Sequence, residues 1–179
     1  MLLHGTGGDE HDLVPLARDL SDKFNILSLR GRINEGGMLR FFRRFDMYNF
    51  DLENVKQEAE HITKFLSNFK KDHKLKKLIL LGYSNGASMI EALILENDAL
   101  YEGAVLLQPG LLKEDLKFME NKFLKVFVSV SDNDPYLPVK RQQTLVKALE
   151  ESFDVTVSRH NNGHGLTYTV MHDLRKWLH

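Results

Sequence analysis

The chain has 179 residues, with 24 lysines and arginines against 25 aspartates and glutamates, and a formal net charge of −1. So balanced a surface argues against a protein whose task is to hold nucleic acid or an anionic membrane. Cysteine is absent, which excludes disulfides, thiolate zinc sites and a cysteine nucleophile.

The length suits a single domain over residues 1–179 with a full hydrophobic core. No apolar run is long enough to span a bilayer and the N-terminus lacks the pattern of a secretory signal, so a soluble, cytoplasmic protein is expected.

Leu2 and Leu3 read as the end of a strand, and His4-Gly5-Thr6-Gly7-Gly8 as a loop at its C-terminal edge. Backbone N–H groups in such a loop can face a ligand. Asp9 to Asp22 reads as an amphipathic helix with Leu13, Leu16, Ala17 and Leu20 on one face, which places His11 in it, and Phe24 to Leu29 as the next strand. Residues Arg30 to Phe50 fit no regular pattern, interleaving arginines with aromatics around Gly36-Gly37. A loop of that length in a compact domain is functional or disordered. Its aromatic density argues against disorder, and its acidic residues against a nucleic-acid stacking platform, which leaves a flap over an apolar pocket.

Asp51 to Asp72 carries apolar residues at helical spacing, with acids in its first turn and lysines at its end, as the helix dipole favours. Leu78-Ile79-Leu80-Leu81 then reads as a strand buried on both faces. It runs into Gly82-Tyr83-Ser84-Asn85-Gly86, after which the pattern turns helical. Further strands are expected at Gly103 to Gln108, Phe123 to Ser131 and, on the edge side, Asp154 to Arg159, with helices at Pro138 to Glu150 and from Leu166 to about Leu178. Strands alternating with helices define an α/β fold: a mostly parallel sheet between two helical layers, with ligands bound beyond the carboxyl ends of the strands.

Strand, sharp turn and helix around Gly-x-Ser-x-Gly is the setting of a nucleophile elbow, which makes Ser84 the candidate nucleophile. A serine hydroxyl needs an adjacent base that is itself oriented by a third group. His61, His73, His172 and His179 fall on helix surfaces or at the terminus, whereas His164 lies between Gly163 and Gly165 just before the last helix and is the preferred base. His160 is the alternative. A metal reading of His160 and His164 fails because their spacing would need a helix where Gly163 and two asparagines indicate a loop. For the orienting carboxylate Asp134 is preferred to Asp132, which suits a turn residue bonding its own backbone. The order Ser84, Asp134, His164 is that of an α/β-hydrolase. Backbone N–H groups of Asn85 and of the His4-Gly5-Thr6 loop, that of Thr6 above all, are the expected oxyanion donors. Gly5-x-Gly7-Gly8 lacks the lysine and hydroxyl residue of a phosphate loop.

Leu-Leu-His-Gly-Thr-Gly-Gly-Asp-Glu, Gly-Tyr-Ser-Asn-Gly-Ala, Asp-Asn-Asp-Pro-Tyr-Leu-Pro and Gly-His-Gly-Leu-Thr together resemble the phospholipase/carboxylesterase family of small α/β-hydrolases. The likeness runs along essentially the whole chain and is strongest to the bacterial branch described as carboxylesterases or hydroquinone-stress hydrolases. Two departures are visible: Asn85 follows the serine where those carboxylesterases often have glutamine, and family members usually carry more chain ahead of the His-Gly loop. The resemblance implies a three-layer α/β/α-hydrolase fold without a large cap, a Ser84–Asp134–His164 triad, an oxyanion hole at Thr6 and Asn85, and metal-free, cofactor-free hydrolysis of esters or thioesters.

Phe41 and Phe42 are expected to line the acyl pocket. A thioesterase acting on acyl-protein or acyl-CoA substrates, and a non-catalytic binding protein on the same fold, are the alternatives. The expected partner is a small-molecule ester or thioester, not nucleic acid or membrane, and the sequence is compatible with a homodimer.

Overall fold

The computed structural model describes residues 1–179. In chain order it contains β1 (Leu2–Leu3), α1 (Val14–Leu20), β2 (Ser28–Leu29), β3 (Ile33–Glu35), β4 (Met38–Arg40), α2 (Leu52–Asp72) and β5 (Ile79–Tyr83). These are followed by α3 (Asn85–Asn97), β6 (Gly103–Leu107), β7 (Lys125–Ser131), α4 (Val139–Ser152), β8 (Asp154–His160) and α5 (Tyr168–Leu178). Six strands form one sheet in the order β2-β1-β5-β6-β7-β8, every neighbouring pair parallel. The chain steps outward from β1 to β2, then returns to the other side of β1 with β5. That reversal is the topological switch point, where a crevice opens at the carboxyl ends of a doubly wound sheet.

Alternation along the strands builds the two sides of the core. Leu3, Leu80, Leu106 and Val128 point into the larger cluster, with Val55 and Leu66 of α2, Met89 and Leu93 of α3 and Leu145 of α4. Leu2, Leu81, Val105 and Phe127 point the opposite way, against Ala17 and Leu20 of α1 and Val170 and Leu174 of α5. The three-layer α/β/α-hydrolase fold read from the sequence is therefore the fold observed.

Local chemistry sets the element ends. The Asp51 side chain caps α2 by accepting the Asn54 N–H, and Thr167 caps α5 by accepting that of Val170. β8 lies at the sheet edge, as its alternating pattern indicates. Three expectations are corrected. Helix α1 begins at Val14, with Pro15 in its first turn, so Asp9 to Leu13 form turns and His11 lies outside the helix. Strand β2 is confined to Ser28 and Leu29, because β1 offers it only Leu2 and Leu3 as partners. The stretch without a recognisable pattern contains an antiparallel hairpin, β3 with β4, turned by Gly36 and Gly37 at φ +60° and +90°. Two successive positive φ angles suit glycine and match the twist of a two-residue hairpin. The strands are too short for any periodicity to show.

Helix α3 is buried for its first ten residues, Asn85 to Ile94. Gly86 lets its first turn lie directly on β1, because a Cβ there would sit 2.1 Å from the Leu3 carbonyl oxygen. Gly82 meets the same constraint from the other side: its Cβ would lie 2.5 Å from the Gly86 carbonyl. Gly86→Ala is therefore expected to cost roughly 3 kcal/mol or more, since backbone rather than a flexible side chain would have to move; urea unfolding midpoints measure it.

Glu91 of α3 is fully buried, with one carboxyl oxygen accepting the Leu112 N–H at 3.2 Å and the other unpartnered. Burial pushes its carboxyl well above the usual carboxylate range, so the folded protein holds a proton there that the unfolded chain releases. Stability from this group is full below the unfolded carboxyl value and is lost as pH rises through the folded one. Glu91→Gln, neutral at every pH, is expected to hold its urea midpoint over the rising-pH range in which the wild type declines.

Candidate active site

Strand β5 ends at Tyr83 and α3 begins at Asn85, so Ser84 alone makes the turn. It does so at φ 51° and ψ −114°, a region that side chains rarely occupy and that costs about 1–3 kcal/mol. The turn is held from both sides: the Ser84 N–H donates to the Leu107 carbonyl of β6 at 2.8 Å, and the Ser88 N–H to the Ser84 carbonyl at 3.0 Å. The hydroxyl is thereby fixed at the mouth of the switch-point crevice.

His164 and Asp134 arrive on the loops after β8 and β7. The Ser84 Oγ lies 2.9 Å from His164 Nε2, and His164 Nδ1 lies 2.6 Å from Asp134 Oδ2. A carboxylate can only accept, so Nδ1 carries the ring proton in the neutral imidazole and Nε2 is free to accept from the serine. The Asp134 side chain is wholly buried and His164 is 17% exposed. The second carboxylate oxygen of Asp134 accepts the Tyr136 N–H at 2.8 Å. Asp132 is exposed, and only its backbone N–H is engaged, donating to the His160 carbonyl. His160 faces the Gln108 side-chain amide rather than hydrogen-bonding Ser84, and burial lowers its pKa.

Three residues outside the sequence-derived site hold these loops together. The Tyr83 hydroxyl donates to the His164 carbonyl at 2.8 Å, and its ring lies 5.4 Å from the imidazole. Tyr136 meets the same imidazole edge-on, with centroids 5.2 Å apart. Asn133 Oδ1 accepts both the Ser131 hydroxyl and the Gly163 N–H, tying the loop after β7 to that after β8. Their only sequence signal is membership of the quoted motifs, Tyr83 in Gly-x-Ser-x-Gly and Asn133 and Tyr136 in Asp-Asn-Asp-Pro-Tyr-Leu-Pro; neither motif shows which contacts they make.

Thr6 and Asn85 flank Ser84 on the loops after β1 and β5. The Thr6 N–H has no acceptor within the protein, and that of Asn85 opens a helix, where intrahelical acceptors are lacking. The Asn85 side chain braces the neighbouring loop, its Oδ1 accepting the Phe41 N–H at 2.7 Å, while Nδ2 is buried without a partner. His4, 1% exposed, is structural: Nδ1 donates to the Gly5 carbonyl and Nε2 accepts the Gly31 N–H at 2.9 Å. The hairpin completes the clamp, since the Gly7 N–H donates to the Leu39 carbonyl of β4 at 2.9 Å.

The serine opens into a cavity of about 460 Å³ between the hairpin and the Gly110 and Leu137 loops. Phe42 forms part of its wall, with Phe50 and Met47. Phe41 does not reach it; its ring packs 4.8 Å from that of His4 within the core. Arg40 and Arg44 also line this cavity. A larger apolar cavity of about 620 Å³ lies beside the start of β5, with no hydroxyl or carboxylate side chain in its wall.

An α/β-hydrolase sheet with Ser84, His164 and Asp134 hydrogen-bonded in line at its switch point defines the class. Residues 1–179 match the model of the Phospholipase/Carboxylesterase family, and the chain belongs to that family of hydrolases. It is 30% identical to the putative hydrolase MhqD of Bacillus subtilis (strain 168) over 99% of this chain and 90% of the relative. Among solved structures, the Bacillus cereus carboxylesterase superposes with a TM-score of 0.91 at 32% identity, over 98% of this chain and 84% of that one. YahD, solved with malic acid, gives a TM-score of 0.90 at 34% identity, over 99% and 90% of the two chains. No helix is long and apolar enough to cross a membrane.

Tyr83→Phe removes the bond to the His164 carbonyl and nothing else. It is expected to cost about 1 kcal/mol of stability and to speed hydrogen exchange of the His164 Nδ1–H, measured by urea unfolding and by NMR.

Proposed function

We propose that the protein is a serine esterase that cleaves carboxylic esters through an acyl-enzyme on Ser84. The observation that carries this reading is the continuous line of hydrogen bonds from Ser84 Oγ through His164 to Asp134. Ser84 Oγ attacks the ester carbonyl carbon as His164 Nε2 takes its proton. The C–O π pair moves onto the carbonyl oxygen, which receives the N–H groups of Thr6 and Asn85. Such donors aimed at developing charge contribute about 3–4 kcal/mol each when tested by removal. The tetrahedral intermediate collapses, expelling the alcohol oxygen, and His164 returns the proton to it. Water then attacks the acyl-enzyme by the same route, His164 accepting its proton and delivering it to Ser84 Oγ as the acid leaves. Asp134 stays ionised and keeps the imidazole in the one tautomer and orientation that serve both steps.

Oxygen esters are assigned ahead of thioesters because the family and its structural neighbour from Bacillus cereus carry carboxylesterase in their names. The cavity of about 460 Å³ suits a small acyl or alcohol group against Phe42 and Phe50.

Hydrolysis of p-nitrophenyl butyrate is the test. Wild type is expected to turn it over, and Ser84→Ala to lose at least about a thousandfold in kcat with an unchanged unfolding midpoint. Equal rates from the two proteins would remove Ser84 from the mechanism.

A further inference from the structure

The wall of the serine cavity carries a charge that the hydrolysis of a simple ester does not use. Among its lining residues are the guanidinium groups of Arg40 and Arg44, and no aspartate or glutamate. Behind them stands one carboxylate, Glu35, whose Oε2 lies 3.5 Å from Arg40 Nε and 3.2 Å from Arg44 Nε. Its other oxygen is taken by the Arg44 backbone N–H at 3.1 Å. Two cations therefore share one anion, and a net positive charge is left facing the cavity.

Arg40 is the more telling of the two. Its side chain is only 3% exposed, and burying an uncompensated guanidinium is costly. Nε donates to the Phe42 carbonyl at 3.2 Å and Nη1 to the Thr6 hydroxyl at 2.6 Å, while Nη2 makes no hydrogen bond. The same burial lowers its pKa to about 10, which still leaves it charged at neutral pH. Arg44 likewise spends only Nε on Glu35 and keeps both terminal nitrogens free. Through Thr6 the cationic group sits beside the proposed oxyanion position, so an anion held there belongs to the ester under attack.

We propose that Arg40 and Arg44 form an anion subsite, and that the protein's substrates are esters carrying a carboxylate a few bonds from the scissile carbonyl. The proposal rests on the esterase reading above and assigns its substrate class. A guanidinium offers parallel N–H donors that match a carboxylate, and beside a side chain as buried as that of Arg40 the pairing is screened less than at an exposed surface. The remaining wall, Phe42, Phe50 and Met47, takes the hydrocarbon between the two carbonyl groups.

The test compares two methyl esters of one shape: mono-methyl glutarate, which is anionic, and methyl 5-methylhexanoate, which carries a branched hydrocarbon in place of the carboxylate. Acid release is followed by pH-stat at low salt. Wild type is expected to favour the anionic ester about tenfold or more in kcat/KM, with the preference shrinking as salt is added. Arg44→Gln and Arg40→Met are expected to remove most of that preference, and Glu35→Gln, which frees both arginines, to increase it.

A wild type that hydrolyses the neutral ester as well as the anionic one overturns the proposal and leaves the esterase reading standing. So does an equal fall on both esters in the arginine variants, which would assign them to holding Thr6 and nothing more. A wild type inert to both esters strikes the esterase reading itself, and this inference with it. Should Arg40→Met fail to fold, Arg44→Gln carries the comparison, since that side chain is already 31% exposed.

Discussion

Everything at this site depends on the crossing of backbones at Ser84. Helix α3 lies against β1 so closely that Gly86 has no room for a Cβ, and Gly82 is held as tightly against Gly86. The serine between them is left with a positive φ. A strained residue of this kind persists only where its surroundings over-determine it, and here the Leu107 carbonyl and the first turn of α3 do so. The strain stands the hydroxyl clear of the sheet. The same close approach brings the loop after β1 beside it, so the Ser84 hydroxyl and the unpartnered N–H groups of Thr6 and Asn85 are set by one packing event.

The loop after β1 is positioned by a second layer of contacts. His4 fixes its stem through Gly5 and Gly31, the β3–β4 hairpin takes the Gly7 N–H, and Arg40 reaches the Thr6 hydroxyl. The hairpin is small and carries no core of its own. It joins the loop after β1 to two arginines and one glutamate, so that the electrostatics of the cavity and the geometry of Thr6 share one support. Arg40 is the common member, which explains why so costly a burial occurs at the edge of a site.

His164 and Asp134 are held on the other side by neighbouring strands. Because β7 and β8 pair residue for residue up to Ser131 and His160, the loops that follow them start level, and Asn133 bridges them to Gly163. Tyr83, from the central strand, bonds the His164 carbonyl. Relay geometry is thus referred back to the sheet from both ends, and it does not depend on the rotamer of a single exposed loop residue.

The sequence by itself determined the alternation of strands and helices, the Gly-x-Ser-x-Gly turn at Ser84, and the chain order of Ser84, Asp134 and His164. Those features are local: a doubly buried strand must be an uninterrupted apolar run, and a turn in which backbones touch must contain glycine on both sides of the serine. Short elements carry no such signal, so the three-residue strands of the hairpin leave no periodicity and β2 is shorter than the apolar run around it. What only the tertiary structure decided depends on which neighbour a side chain meets. Phe42 rather than Phe41 faces the cavity, and Tyr83 and Asn133 lock the loops. Adjacent residues in an irregular segment point in different directions, and no periodicity records which of them turns inward. The pairing of Arg40 and Arg44 over one glutamate is of the same kind, since it exists only once the hairpin has folded across the mouth of the sheet.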